Sequence, residues 1–282
     1  MADTALAETA AKYSTPAALE LALAECWTRR DRAAGRETAH EILPGLWLGG
    51  CRAQPPPELT HVVSLWDDDR DDVPRWPVAA ERQLVVRIRD DVDARIGDAL
   101  PRCAAFLGEA FDGARDGAPG GAVALVHCQM GRSRSAAVVV AFLMERFRAP
   151  LLAAYAHVML RRHVSALHHG FFAQLVDRER ALRPQRREPS FALLDYFRVM
   201  LHVESPAADA RHATNDDIVD AWLADGGGGA PGPGGSLARA VRGLRFVCEE
   251  TDVGRFSPHA RELSAQMARL RAARTARPRP VE

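Results

Sequence analysis

Apolar residues along the chain follow two different periods, and each period predicts a different element. Between Ile96 and Ala114 they fall at Ile96, Leu100, Ala104, Leu107 and Phe111, the three-and-four spacing of an amphipathic helix. Short apolar runs read instead as strands: Glu41–Gly49 ending in a glycine turn, His61–Trp66, Arg82–Ile88, and the continuous Ala122–Val126 (AVALV). A strand with no polar alternation is expected to be buried on both faces by helices. Upstream, Thr15-Pro16 is a helix start and predicts a helix over about 16–34. Downstream of AVALV the period is helical throughout, predicting a helix from the 128–134 loop to about Arg148, then helices at about 151–163 and 170–182.

Strands early, helices late and one central buried strand predict an α/β layered domain over 41–185, preceded by a helical extension over 1–40. The segment 186–282 reads as a mostly helical extension, with helices near 189–203, 214–224, 237–252 and 258–272. A flexible Gly-rich linker, DGGGGAPGPGG, interrupts it at 225–235. This extension carries no catalytic constellation, so a helical appendage or a segment that binds a protein partner is what its pattern supports. Its last arginines, Arg269, Arg271, Arg274, Arg277 and Arg279, read as a solvated end. Asp67–Asp72 (DDDRDD) likewise reads as a solvated surface loop.

Composition narrows the chemistry. Lys+Arg and Asp+Glu both number 37, so the formal net charge is zero and no global field draws the chain to DNA or an anionic membrane. Any anion must be held by a local site. Five cysteines, Cys26, Cys51, Cys103, Cys128 and Cys248, lack paired or CxxC spacing, which argues against a disulfide framework or zinc site. A reducing, intracellular compartment is expected, cytoplasmic with the nucleus open. The N-terminal residues lack the character of a secretory signal, and the longest apolar run, Ala136–Met144, is about half of what spans a bilayer.

One segment holds a complete set of parts for phosphate chemistry. His127-Cys128-Gln129-Met130-Gly131-Arg132-Ser133-Arg134-Ser135 places a cysteine at the end of a buried strand, an arginine six residues on, and a helix directly after. Peptide N–H groups of Gln129, Met130, Gly131, Arg132 and Ser133, curled toward a helix N-terminus, form an anion cradle for substrate. Gly131 permits the curl. Arg134 offers a planar fork matched to two phosphoryl oxygens, and the same surroundings favour the thiolate form of Cys128, the attacking species. Cys128 is the candidate nucleophile. Ser135 is positioned to donate to the departing sulfur, or simply begins the helix; His127 holds the loop through its ring, or is a buried core side chain. A leaving oxygen needs a proton, and Asp90, Asp91 and Asp93, after the 82–88 strand, are candidate acids or else caps of the next helix. Chance occurrence of this pattern is on the order of 1 in 10,000, and it stands in the strand–loop–helix context its chemistry requires.

HCQMGRSRS resembles the HCxxGxxR[ST] signature of cysteine-dependent protein tyrosine phosphatases, and its surroundings resemble their dual-specificity subfamily. ILPGLWLGG is similar to that subfamily's opening strand and turn, HVVSLW to its second strand, and VRIRDDVDARI to its acid loop, where the acid precedes a helix-starting Ile by six residues. The resemblance covers about residues 41–183 and implies a central, mainly parallel sheet flanked by helices. It implies Cys128 as nucleophile, Arg134 as phosphate clamp and Asp90 as general acid, with no metal or other cofactor. Met130 stands where a small residue is usual, and the proline usual after the Arg161-Arg162 pair is absent.

The leading expectation is therefore hydrolysis of phosphotyrosine and phosphoserine/threonine in a phosphoprotein substrate through a cysteinyl-phosphate. Arg132, a second guanidinium in the loop, keeps open the same chemistry on a phosphoinositide, another phospholipid or an RNA 5′-phosphate. A catalytically silent phosphate-binding scaffold, with the helical tail as effector, is the reading from another class. Cys51 or Cys103 are candidates to resolve an oxidised Cys128. The physiological substrate, oligomeric state and role of 186–282 stay open.

Overall fold

The run of apolar residues before Cys128 forms the middle strand of the molecule. The computed structural model describes residues 2–27, 36–113, 121–204, 213–225 and 236–275. In it, β5 (Ala124–Cys128) is buried along its whole length. It pairs in parallel with β2 (Leu46–Gly50) on one side and β3 (His61–Trp66) on the other. β4 (Gln83–Arg87) continues the parallel set beside β3, and β1 (Ala39–Leu43) closes the far edge, giving the order β1-β2-β5-β3-β4. The sheet is mainly parallel and flanked by helices, as the strand pattern implies.

The expected single strand over 41–49 is instead a hairpin. Pro44-Gly45 turns the chain between β1 and β2, which run antiparallel. Gly45 takes φ +80°, and a Cβ there would lie 2.4 Å from the Ala122 carbonyl oxygen, so only glycine fits. The flanking apolar residues hid this reversal, because Ile42, Leu43, Leu46 and Leu48 are all buried on either side of it.

Helices cover one face of the sheet; on the other, Val62 and Leu125 pack against Trp76 from the segment between β3 and β4, so β5 is buried on both faces but by helices on only one. α3 (Ile96–Gly113) buries Ile96, Leu100, Cys103, Leu107 and Ala110; Ala104 and Phe111 of the expected stripe are half-buried against the same core. α4 (Arg134–Arg146) is buried from Arg134 through Met144 and runs under the sheet as its central support. Each fully buried Val or Leu of this helix contributes about 1.5–3 kcal/mol of transfer free energy. α5 (Leu151–Arg161) and α6 (His169–Leu182) complete that layer. At the N-terminus α1 (Ala2–Lys12) is a helix the sequence pattern did not announce, and α2 (Pro16–Trp27) starts at the expected proline. Residues 28–34 of the expected first helix lie outside the described residues, as does most of the 225–235 linker.

The C-terminal helices are α7 (Leu193–Glu204), α8 (Asn215–Asp225), α9 (Ser236–Arg245), α10 (Asp252–Phe256) and α11 (Pro258–Thr275). The expected continuous helix over 237–252 is broken. After Arg245 the chain makes a π-helical turn, Phe246–Glu250, and Thr251 then caps α10 by accepting from the Gly254 N–H (3.3 Å). These helices do not stand apart. Val199, Ile218, Trp222, Leu244 and Met267 belong to the same apolar core as Val126 and Val139. Buried Glu179 of α6 fixes the crossing into the extension: it accepts from the Leu151 N–H (2.8 Å) and from the Ser190 hydroxyl (2.5 Å) and N–H (2.7 Å). Glu20 of α2 pairs with Arg198 (3.3 Å) and His202 (2.9 Å) of α7, so the two terminal regions meet.

Candidate active site

At the end of β5 the backbone leaves the sheet, curls through Gln129–Ser133 and enters α4 at Arg134. Gly131 takes φ +63°, and a Cβ there would come within 2.2 Å of the Gly49 carbonyl oxygen. Only glycine permits this curl. It aims the Gly131 N–H at Cys128 Sγ (3.2 Å), and the Ser135 hydroxyl donates to the same sulfur (3.2 Å). Two donors on one sulfur can stabilise negative charge there.

Arg134, 2% exposed, begins α4 and turns back toward the loop's partners. Its Nη1 donates to Asp67 Oδ1 (2.5 Å) and to the Ile88 carbonyl oxygen (3.0 Å). Its Nε faces Asp90 Oδ2 at 3.9 Å and has no hydrogen-bond acceptor among the described residues, so it remains a donor for a phosphoryl oxygen. Of the three candidate acids, Asp90 alone makes an ion pair with Arg134 among the described residues. Asp91 accepts from the Asp93 N–H (3.3 Å), and Asp93 accepts from the Asp252 N–H of α10 (2.9 Å). Capping of α3 is not their work either, since its Gly97 N–H goes to the Gln174 side chain (2.8 Å).

The remaining motif residues face outward from the sulfur. His127 is fully buried; Trp76 Nε1 donates to its Nε2 (2.8 Å), and Ser64 Oγ lies 2.7 Å from the same nitrogen. Burial pushes its pKa down to about 4, against the opposing pull of the Cys128 backbone, so the ring is neutral at pH 7. Ser133 accepts from the His168 N–H (3.1 Å), and Arg132 Nε donates to the Val164 carbonyl oxygen (2.9 Å). Gln129, with its amide oriented to satisfy both partners, accepts from Arg36 (2.5 Å) and Arg70 (3.1 Å). Met130 lines the cavity beside the loop. The structure thus gathers the Cys128, Arg134, Asp90 and Ser135 side chains around the loop, while Ser133, Gln129 and Arg132 tie that loop to neighbouring segments.

Residues 58–181 match the model of the dual specificity phosphatase catalytic domain. Mouse dual specificity phosphatase 28 is 33% identical over 157 residues, covering 52% of this chain and 90% of that protein; the human form is 34% identical over 150, covering 51% and 79%. The chain belongs to the dual-specificity phosphatase family. Rat dual specificity protein phosphatase 12 is 32% identical over 147 residues, 49% of this chain but 40% of its own length. The chain thus spans about two fifths of that relative. The crystal structure of human DUSP28 is similar at 32% identity and a TM-score of 0.43, covering 51% of this chain and 95% of that one. None of these alignments is long enough to cover both the phosphatase domain and the C-terminal helices.

Three supports of the dual-specificity phosphatase loop were not legible in the motif. Arg162, fully buried at the end of α5, donates from Nε to the Gly131 carbonyl oxygen (2.8 Å) and from Nη2 to that of Met130 (3.3 Å), bracing the curl from behind. Its Nη1 reaches Thr38 Oγ1 (3.2 Å) and His40 Nδ1 (2.7 Å) of the N-terminal edge. Burial pushes its pKa down to about 10, which leaves it charged at neutral pH. Ser64 and Trp76, which hold His127, come from segments far away in sequence. The third support corrects an expectation: Asp67 is not simply solvated, because it is the carboxylate on Arg134, although Asp68, Asp69, Asp71 and Asp72 are exposed. A run of charges conceals the one member that turns inward.

Of the cysteines considered as resolving partners, Cys103 lies in the core of α3, where burial pushes its thiol up to about 12. Cys51 is half-buried and follows Gly50, the β2 residue in register with Cys128; its N–H donates to the Gln129 carbonyl oxygen (3.3 Å). No helix among the described residues is long and apolar enough to cross a membrane.

Proposed function

We propose that the chain hydrolyses phosphotyrosine and phosphoserine/threonine in proteins through a cysteinyl-phosphate. The observation that carries this reading is Cys128 Sγ at the floor of a glycine-curled loop, with the Gly131 N–H and Ser135 hydroxyl both 3.2 Å away and buried Arg134 opening the helix that follows. Sγ attacks phosphorus, an S–P bond forms, and the P–O bond to the leaving oxygen breaks. Asp90 gives its proton to that oxygen, and Arg134 Nε and the loop amides hold the equatorial oxygens as charge spreads onto them. Water then attacks phosphorus and gives its proton to Asp90. The sulfur leaves as thiolate, received by the Ser135 and Gly131 donors, and inorganic phosphate is released.

Among substrates of this chemistry, a protein fits better than a polyanionic surface or RNA. The loop after β3 carries exposed Asp68, Asp69, Asp71 and Asp72 beside the Asp67–Arg134 pair, and the acid loop adds exposed Asp90, Asp91 and Asp93. Arg132, the residue that favoured a polyanion, has its Nε on the Val164 carbonyl oxygen.

The test is phosphate release from phosphotyrosine and phosphothreonine peptides, with a phosphoinositide and a 5′-triphosphorylated RNA alongside. Wild type should turn over both peptide types, Cys128→Ser neither, and Asp90→Asn both at a rate reduced by about 10²-fold or more. Turnover confined to lipid or RNA would overturn the substrate assignment. Peptide hydrolysis that survives Cys128→Ser would overturn the mechanism.

A further inference from the structure

A cavity of about 450 Å³ opens directly beside the phosphate loop, within the volume range of ligand sites, about 300–1,000 Å³. One wall is the catalytic loop and its acid: Asp90, Met130, Arg132 and Ser133. The facing wall belongs to the C-terminal helices, with Tyr196, Phe197 and Met200 from α7 and Ala240 and Gly243 from α9. The chain between 163 and 169, where the family's usual proline is missing, forms the floor through Leu167, His168 and His169. Burial pushes His169 down to about 3, so that imidazole is neutral at physiological pH.

The helical wall is held firmly against the domain. The Tyr196 hydroxyl donates to the Leu167 carbonyl oxygen (2.6 Å), and buried Phe172 stacks on the Tyr196 ring at 4.1 Å. Nearby, α10 grips the acid loop: the Asp252 N–H donates to Asp93 (2.9 Å), and Arg95 lies over the Phe256 ring at 4.6 Å. A group seated in this cavity therefore touches both the loop that receives phosphate and helices beyond the matched family region.

We propose that this cavity is a specificity subsite for a large apolar side chain adjoining the phospho-residue of a peptide substrate, with the C-terminal helices as its far wall. The inference rests on the phosphatase reading above and names its preferred substrate. Continuity with the phosphate loop fixes the occupant as something attached close to the phosphate. The apolar helical wall of Tyr196, Phe197, Met200 and Ala240 fixes its character, and exposed Arg239 beside it suits an acidic residue further along the same peptide. The carboxylates around Arg134 disfavour the competing occupant, an acyl chain delivered from an anionic bilayer.

The test compares phosphopeptides identical except for Leu, Phe or Ala on either side of the phospho-residue, using kcat/KM. Wild type should favour Leu or Phe over Ala at one of these positions by about tenfold. Ala240→Phe fills the cavity and should bring that ratio close to one. Met200→Ala enlarges it and should move the preference from Leu toward Phe. Each ratio is taken within a single enzyme preparation, so a lower folded fraction leaves it unchanged, and either variant suffices if the other fails to fold. Equal rates on all peptides, or a wild-type preference that survives in the variant, would overturn the subsite while leaving the phosphatase reading standing. No turnover of any phosphopeptide or of para-nitrophenyl phosphate would overturn both. Faster hydrolysis of a phosphoinositide in phosphatidylcholine vesicles than of any peptide, reduced by Ala240→Phe, would make the occupant an acyl chain and overturn the peptide.

Discussion

The phosphate loop and the helical wall that faces it are built on opposite principles. The loop's reacting groups come from one run of nine residues, His127–Ser135, and its geometry follows from local rules: a buried strand ends, a glycine takes positive φ, and a helix begins. The wall draws Tyr196, Phe197 and Met200 from one helix and Ala240 and Gly243 from another, with none of them near the loop in sequence. The proposed nucleophile, phosphate clamp and sulfur donor are encoded in one loop, and the fold brings Asp90 and Asp67 to them from two other segments. Selectivity is encoded at long range, because any helix with the right face can supply a wall.

That contrast is sharpest at Arg162, where the local loop depends on a distant residue. Replacing Arg162 with Met leaves the Met130 and Gly131 carbonyls without their buried donors, at about 1–3 kcal/mol each, and removes the link to Thr38 and His40. The expected result is about 3 kcal/mol less stability in denaturant titration. The expected fall in kcat/KM per folded enzyme is about 100-fold, because a small displacement of the loop misplaces both donors on Cys128. Arg162→Lys should recover part of the stability and little of the activity, since an ammonium lacks the planar fork that reaches two carbonyls. Near wild-type turnover by folded Arg162→Met would show that the nine residues hold their own shape.

Asp67 tests the same dependence on the side of the arginine. Asp67→Asn retains an oxygen for Arg134 Nη1 and removes a negative charge near the incoming phosphate. Two effects should separate. Weaker orientation of the guanidinium should lower kcat about tenfold, about 1.4 kcal/mol, while reduced repulsion should tighten inhibition by inorganic phosphate several-fold. A purely structural role would lower the amount of folded enzyme and leave both constants where they are.

These residues also mark what could be read beforehand and what could not. The parallel strands, the buried α4 and the loop between them were legible because each announces itself within about ten residues, whereas Asp90 is singled out from Asp91 and Asp93 only by the resemblance. The β1–β2 reversal was missed because Pro44-Gly45 sits inside an apolar run whose two halves both face the core. Asp67 was hidden by identical neighbours, and Arg162 by looking like the exposed end of a helix. Its signal was a guanidinium in a segment otherwise buried from Leu151 to Met159, which folding tolerates only where several acceptors converge. The C-terminal helices were recognisable as helices, but periodicity says nothing of what a helix packs against.

The smallest effect belongs to Tyr196, and it asks whether the wall supports the loop or merely adjoins it. Leu167, which accepts from the Tyr196 hydroxyl, lies between Ala166, whose N–H donates to the Arg132 carbonyl oxygen (2.9 Å), and His168, whose N–H donates to Ser133 (3.1 Å). Three consecutive residues thus join α7 to the phosphate loop. Tyr196→Phe keeps the ring and its stacking on Phe172 and removes one hydroxyl, so the cost should be about 1 kcal/mol. If the path is mechanical, hydrogen exchange at the Ala166 and His168 amides should speed up about five-fold, because their opening becomes easier by that amount. The preference for an apolar neighbour should weaken in step, since the same loop floors the cavity. Unchanged exchange at both amides would mean that the wall stands beside the catalytic loop without steadying it, and that the two regions are joined only through whatever substrate lies between them.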